Sequence, residues 1–236
     1  MPSSISLRID GEFIRASVGQ TILDAAAAAG KFIPALCNMK GLSAVGACRV
    51  CIVEVAGVNR LLPACTTLAQ DGMSVTTTSE KLRNYRRIAV ELLFSERNHV
   101  CAVCVSNNHC ELQSLAIKLG VTNIRYPYSY PKLRADLSHR RFVSDQNRCI
   151  LCSRCVRTCA EVEGANVWDI AGRGVQSRLI AELCQPWGTS RNCTDCGKCV
   201  QSCPTGALAE KGYAVEEMTK RSEPITRLAA HREAAL

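Results

Sequence analysis

The sequence predicts a chain of small α+β modules, each closed around a group of cysteines rather than around a large apolar core. Three observations predict this. The chain carries 16 Cys in 236 residues, far above ordinary usage, and most of them fall in tight groups. Two groups, 149–159 and 193–203, repeat the spacing C-x2-C-x2-C-x3-C, and Pro204 follows the second. Aromatic residues make up only 5%, too few for a large aromatic core in any module. Bound metal would stabilise such modules instead, because metal-binding free energy is folding free energy there.

Residues 1–78 read as a β-rich module. I-S-L-R-I-D alternates as a strand, Gly11 makes a turn and E-F-I-R-A-S returns as a second strand. Thr21-x-x-Asp24 opens a short alanine helix that Gly30 stops. Cys37, Cys48, Cys51 and Cys65 follow, with gaps of ten, two and thirteen residues. C-R-V-C-I-V-E-V runs straight from the central pair into a strand, and M-S-V-T-T-T supplies a later one. One C-x2-C pair with a distant fourth Cys across a strand is the way a 2Fe–2S site is held on a β-grasp ferredoxin; the plant-type loop has a shorter first gap. Four such cysteines also suit zinc.

Residues 79–120 read as a small helical module. Ser79 can cap a helix over 79–97, with Leu82, Tyr85, Ile88, Ala89, Leu92 and Phe94 as its apolar stripe and Arg83, Asn84, Arg86 and Arg87 on its wet side. Cys101, Cys104 and Cys110 then offer three thiolates, one short of a complete site. The fourth ligand is sought in His99 or His109. His109 adjoins Cys110, so its side chain is expected to point elsewhere, and His99 is preferred. A helix from Glu111 to Gly120 follows, then a connector over 121–138 whose Y-P-Y-S-Y-P is expected to be extended and packed.

Residues 139–212 form the two-run module. Four Cys within eleven residues is the run of a bacterial ferredoxin, in which the fourth Cys of each run ligates the other 4Fe–4S cluster. Zinc usually takes Cys pairs across a longer loop. The expected sets are therefore Cys149, Cys152, Cys155 and Cys203 for one cluster, and Cys193, Cys196, Cys199 and Cys159 for the other. The insert at 160–192 reads as two strands about a Gly turn. Cys184 is the one Cys outside every set and is expected to be a buried apolar thiol. The tail, 213–236, is charged and weakly patterned, and is expected to be mobile or to order only against a partner.

The net charge is +8, but no Lys/Arg run exceeds a pair and no nucleic-acid motif is recognisable. A basic surface that meets acidic partners and offsets cluster charge is the expected reason. No signal peptide, twin-arginine signal or membrane-length apolar run is visible. The expected compartment is the cytoplasm, where clustered thiols mean metal.

The order of these modules adds a resemblance. The strings C-R-V-C-I-V-E-V, V-E-L-L-F-S-E-R-N-H-V-C, C-E-L-Q, N-R-C-I-L-C-S-R-C-V-R-T-C and C-T-D-C-G-K-C-V-Q-S-C-P-T-G resemble the N-terminal electron-transfer arm of the large iron–sulfur subunit of complex I and of iron-only hydrogenases. A free-standing arm of this length resembles the small diaphorase subunits of bidirectional NAD-reducing nickel–iron hydrogenases. The likeness covers roughly residues 1–215. His99 stands two positions before its first Cys, where those relatives have a spacing of four. The resemblance implies one 2Fe–2S and three 4Fe–4S clusters, a flavoprotein partner that carries FMN and oxidises NADH, and the small and large subunits of a nickel–iron hydrogenase. It implies an electron relay without a substrate site of its own. The rival hosts are an NAD-linked formate dehydrogenase and a complex I-like enzyme, and the rival role is a free-standing multi-cluster ferredoxin. A redox-sensing nucleic-acid binder would need a recognition element that the sequence does not offer.

Overall fold

The computed structural model describes residues 4–233. The chain divides into two compact units. One holds the described residues up to Asn38 together with Ala44–Val90; the other holds Met39–Ser43 and the described residues from Glu91 onward.

In the first unit, β1 (Ser4–Ile9) and β2 (Glu12–Ser17) form an antiparallel hairpin with Leu7 opposite Ile14. Asp10 and Gly11, both left-handed, make its two-residue turn. β3 (Ile52–Val55), β4 (Leu62–Pro63) and β5 (Ser74–Thr76) complete a five-stranded sheet in the order β2-β1-β5-β3-β4, where β1 and β5 are parallel. The alternation in β1 buries Leu7 and Ile9 against α1 (Ile22–Ala28), whose Ala25 and Ala26 are fully buried. Thr21 caps α1 as expected, accepting from the Asp24 amide at 3.1 Å, and Gly30 follows its end in the left-handed region.

α2 (Glu80–Glu96) is capped by Ser79, which accepts from the Leu82 amide at 3.1 Å. Its buried side departs from the expected stripe. Tyr85 and Leu92 are about half exposed, whereas Arg86 is buried. The Arg86 guanidinium donates to the carbonyls of Val50 (3.2 Å) and Ile52 (2.7 Å), on either side of Cys51. A long stem with five donors can serve buried carbonyls that no apolar side chain could satisfy, so the charge turns inward.

In the second unit, α3 (Glu111–Lys118) ends before left-handed Gly120. The 121–138 connector is irregular, with Tyr128 and Tyr130 stacked on each other but exposed, so the expected packing is absent there. β6 (Phe142–Ser144) pairs antiparallel with β9 (Leu208–Glu210), framing the two cysteine runs. α4 (Arg154–Arg157) continues as a π-type turn, Thr158–Glu163. β7 (Trp168–Ala171) and β8 (Arg178–Ala181) are the expected hairpin of the insert. α5 (Lys198–Ser202) follows the second run. Despite the low aromatic content, Trp168, Trp187 and Phe142 meet in one small cluster inside this unit.

The tail docks on its own chain, unlike the expectation. Met218 is buried and its amide bonds to the Val105 carbonyl at 3.0 Å. α6 (Glu223–Glu233) buries Ile225 and Ala229 against Met39, Leu42 and Val162. Burying apolar side chains of this size contributes about 1.5–3 kcal/mol each for the larger ones toward holding this charged segment in place. Among the described residues no helix is long and apolar enough to cross a membrane.

Candidate metal centres

Cys37, Cys48, Cys51 and Cys65 converge at the edge of the first unit's sheet, all of them buried. The turn through left-handed Gly46 and Arg49 brings the sequence-distant Cys37 to the central pair, and β3 starts directly after Cys51. The Cys37 amide points at the Cys48 sulfur, 3.4 Å away. The thiols of Cys48 and Cys65 hydrogen bond to the Cys37 sulfur and hold its pKa far down, to about 2. Cys65 likewise lowers Cys51 to about 7, while Cys48 and Cys65 are pushed up by those same bonds. Four buried sulfurs linked through the pairs Cys48–Cys37, Cys37–Cys65 and Cys65–Cys51 are a donor set for a metal centre, and they fit a 2Fe–2S cluster.

The second unit contains three cavities of similar size, each lined by one of the remaining donor sets. A cavity of about 300 Å³ is lined by His99, Cys101, Cys104 and Cys110. One of about 340 Å³ is lined by Cys149, Cys152, Cys155 and Cys203. One of about 330 Å³ is lined by Cys159, Cys193, Cys196 and Cys199. Cys159 and Cys203 thus each face the cavity of the other run. Burial pushes Cys110 and Cys149 up to about 11, and Cys152 and Cys199 up to about 12. These thiols hold their protons until a metal displaces them, which links binding to proton release.

The twin runs share one backbone. Leu151 and Asp195, two residues after the first Cys of each run, are both left-handed, as are Ser153 and Gly197 two residues later. Only Gly197 adopts that conformation without steric cost, so the first run carries strain at two residues that have a Cβ. In exchange the turn aims backbone amides at sulfur: Leu151 N lies 3.4 Å from Cys149 Sγ. Val167 N similarly lies 3.3 Å from Cys159 Sγ.

His99 reaches its cavity through two consecutive tight turns, in which the His99 amide bonds to the Arg97 carbonyl (3.1 Å) and the Val100 amide to the Asn98 carbonyl (3.0 Å). Those turns absorb the short spacing to Cys101. The ring rests edge-on against Phe94, centroids 5.3 Å apart, and hydrogen bonds to the Leu93 carbonyl. Its Nε2 is buried and has no hydrogen-bond partner among the described residues. Burial, reinforced by the charge of Arg148, lowers its pKa to about 4, so the ring is neutral and Nε2 carries a free lone pair. An orphaned nitrogen in a cavity lined by three thiols fits a metal ligand. His109 is exposed and does not line this cavity.

Three neighbours of these sites were not visible in the sequence. Gly206 packs so closely that a Cβ there would collide with Cys104 Sγ. Lys220, in the tail, is deeply buried; its ammonium donates to the carbonyls of Val200 (2.9 Å) and Leu208 (2.5 Å) and feels the sulfurs of Cys203, Cys199, Cys110 and Cys104. Arg154, paired in a two-point ion pair with Glu111 at 2.6 and 2.9 Å, feels the sulfurs of Cys152 and Cys203. These are the basic groups expected to offset cluster charge.

Cys184 is a correction. It is exposed rather than buried, and it lines none of the three cavities. Glu182, Leu183 and Cys184 are all left-handed, and this run turns the segment outward after β8.

Comparison with known proteins gives three family matches in order. Residues 3–80 match a 2Fe-2S iron–sulfur cluster binding domain, 86–125 the iron–sulfur binding region of NADH-ubiquinone oxidoreductase G, and 141–209 the ferredoxin-like domain of NADH-quinone oxidoreductase subunit 3. The alpha subunit of the NADPH-Fe(3+) oxidoreductase of Geobacter sulfurreducens is 40% identical over 209 residues, which are 89% of this chain but 24% of that protein. The gamma subunit of the NAD-reducing hydrogenase HoxS of Cupriavidus necator is 33% identical over 213 residues, 89% of each chain. A chain in the crystal structure of an NAD+-reducing [NiFe]-hydrogenase in its H2-reduced state aligns with a TM-score of 0.80 and 39% identity, covering 90% of this chain and 89% of that one.

Proposed function

The chain belongs to the family of iron–sulfur electron-transfer subunits that includes the gamma subunit of the NAD-reducing hydrogenase, and from that premise we propose that it carries electrons between a flavoprotein that exchanges hydride with NAD(H) and the subunits of a nickel–iron hydrogenase. The observation that supports this best is the grouping of donors. Every Cys but Cys184, together with His99, falls in one of four sets of four.

In this reading residues 1–78 hold one 2Fe–2S cluster through Cys37, Cys48, Cys51 and Cys65. Residues 79–120 hold a 4Fe–4S cluster through His99, Cys101, Cys104 and Cys110. Residues 139–212 hold two more through the crossed sets of Cys149, Cys152, Cys155 and Cys203, and of Cys159, Cys193, Cys196 and Cys199. When bound, such clusters accept and release single electrons at potentials within about −700 to +450 mV.

The chain's own residues bind, orient and insulate. The thiols surrender protons to become ligands, while the Leu93 carbonyl fixes the His99 ring so that Nε2 faces the cavity. Trp168, Trp187 and Phe142 keep water from the site nearest them. Arg154 and Lys220 place positive charge beside the sulfurs. FMN, NAD and the nickel site lie on partner chains in this reading, and the assembly is cytoplasmic.

Anaerobic purification with associated subunits tests the proposal. The expected result is about 14 iron atoms per copy of this chain, with a flavin and nickel in the complex. Molybdenum or tungsten in place of nickel would assign the arm to a formate dehydrogenase. Stoichiometric zinc at any site would remove that site from the relay.

A further inference from the structure

His139 is buried just before β6, clamped between Phe142 and Trp187 with ring centroids 4.9 and 4.6 Å away. Gly188 lies against the same turn, where any Cβ would collide with the Ser138 carbonyl. The ring therefore has little freedom to rotate. Its Nδ1 faces two backbone donors, Arg141 N at 3.1 Å and Phe142 N at 3.2 Å, so Nδ1 is an acceptor and the ring proton sits on Nε2. That Nε2–H has two acceptors. Asp195 Oδ1 is 2.7 Å away and Cys193 Sγ 3.7 Å away, and the three atoms lie within 4.8 Å of one another. Asp195 is held in turn from outside, with Oδ2 paired to Arg140 and its carbonyl accepting from Arg141 at 3.0 Å.

We infer that His139 and Asp195 set the reduction potential of the cluster held by Cys159, Cys193, Cys196 and Cys199, by dividing one N–H between the Asp195 carboxylate and the Cys193 sulfur. This rests on the reading of Cys193 as a cluster ligand. A hydrogen bond to a ligating sulfur stabilises the reduced, more negative state, and a nearby carboxylate destabilises it. The pair acts in opposite senses on one site: the imidazole raises the potential, and the carboxylate lowers it by its charge and by drawing the proton toward itself. Reduction adds one electron, and neither a bond nor the proton changes owner. His139 is a positioning residue here, since it acts through Cys193.

The test is a mediated redox titration of the full chain with its clusters, followed by paramagnetic resonance. His139→Phe keeps the aromatic clamp and removes the donor. It should lower the potential of one 4Fe–4S signal, so that its reduced-to-oxidised ratio at a fixed potential falls about tenfold, equal to about 59 mV for one electron. Asp195→Asn suits the left-handed backbone at 195 and should shift the same signal the other way. Cys193→Ser identifies which signal belongs to this site. If neither variant moves that ratio twofold while iron content stays at the wild-type value, the inference is overturned. If His139→Phe loses iron, the direction of the Asp195→Asn shift decides alone. If Cys193→Ser perturbs no signal, the ligand reading itself fails and takes this inference with it.

Discussion

His99 offers its cavity a lone pair that nothing else among the described residues uses. His99→Ala should therefore lose or loosen the cluster at Cys101, Cys104 and Cys110 and spare the others, whereas His109→Ala should be mild; iron content and paramagnetic resonance on both variants check this. His99→Cys should keep a cluster but lower its potential through the added thiolate charge. Gly206→Ala should damage the same site by a different route, because the new methyl meets Cys104 Sγ. Its backbone is otherwise open to any residue, so the harm should appear as accelerated cluster loss to a chelator rather than as a shifted potential. The sequence points to His99 because three thiolates demand a fourth ligand, and the structure brings its ring to the cavity they line. Gly206 was not legible in the sequence, since only the folded chain brings it beside Cys104. Cys184 was misread for a related reason: without a Gly in E-L-C, nothing announces three left-handed residues in succession.

At the scale of elements, strands, caps and cysteine runs were read from spacing and alternation, which are local properties. The Thr21 cap, the β1–β2 hairpin and the β7–β8 hairpin each depend on neighbours within a few residues. α2 shows where this ends. Its periodicity marks a charged face, yet Arg86 on that face turns inward to the carbonyls flanking Cys51, a tertiary need that period cannot carry. The specific spacing of the runs points to an exchange of fourth cysteines, and the structure sets Cys159 and Cys203 each at the cavity of the other run. Cys203→Ser should damage the cluster of Cys149, Cys152 and Cys155 and leave that of Cys193, Cys196 and Cys199 comparatively intact. Paramagnetic resonance would give the reverse if each run closed on itself.

At the scale of the whole molecule, the tail joins the machinery it was expected to hang from. The Lys220 ammonium, whose pKa burial lowers and nearby sulfurs hold up, faces sulfurs that line each of the three cysteine cavities described above. Lys220→Met should lower more than one cluster potential together, unlike a ligand variant, and should also loosen the tail. Each lost hydrogen bond from an ammonium is worth about 1.5–3 kcal/mol. A redox titration and limited proteolysis after residue 212 would measure the two effects. Crossed ligation, as proposed, would also impose a calendar on biosynthesis. Cys149, Cys152 and Cys155 emerge from the ribosome first, yet their cavity lacks its fourth wall until Cys203 appears. The cavity that borrows Cys159 is complete once Cys199 is out. The nested pocket can be filled before the one that encloses it in sequence. A nascent chain stalled short of Cys203 would display three unpartnered thiols to any passing oxidant, so Cys203 is the residue that makes Cys149, Cys152 and Cys155 safe.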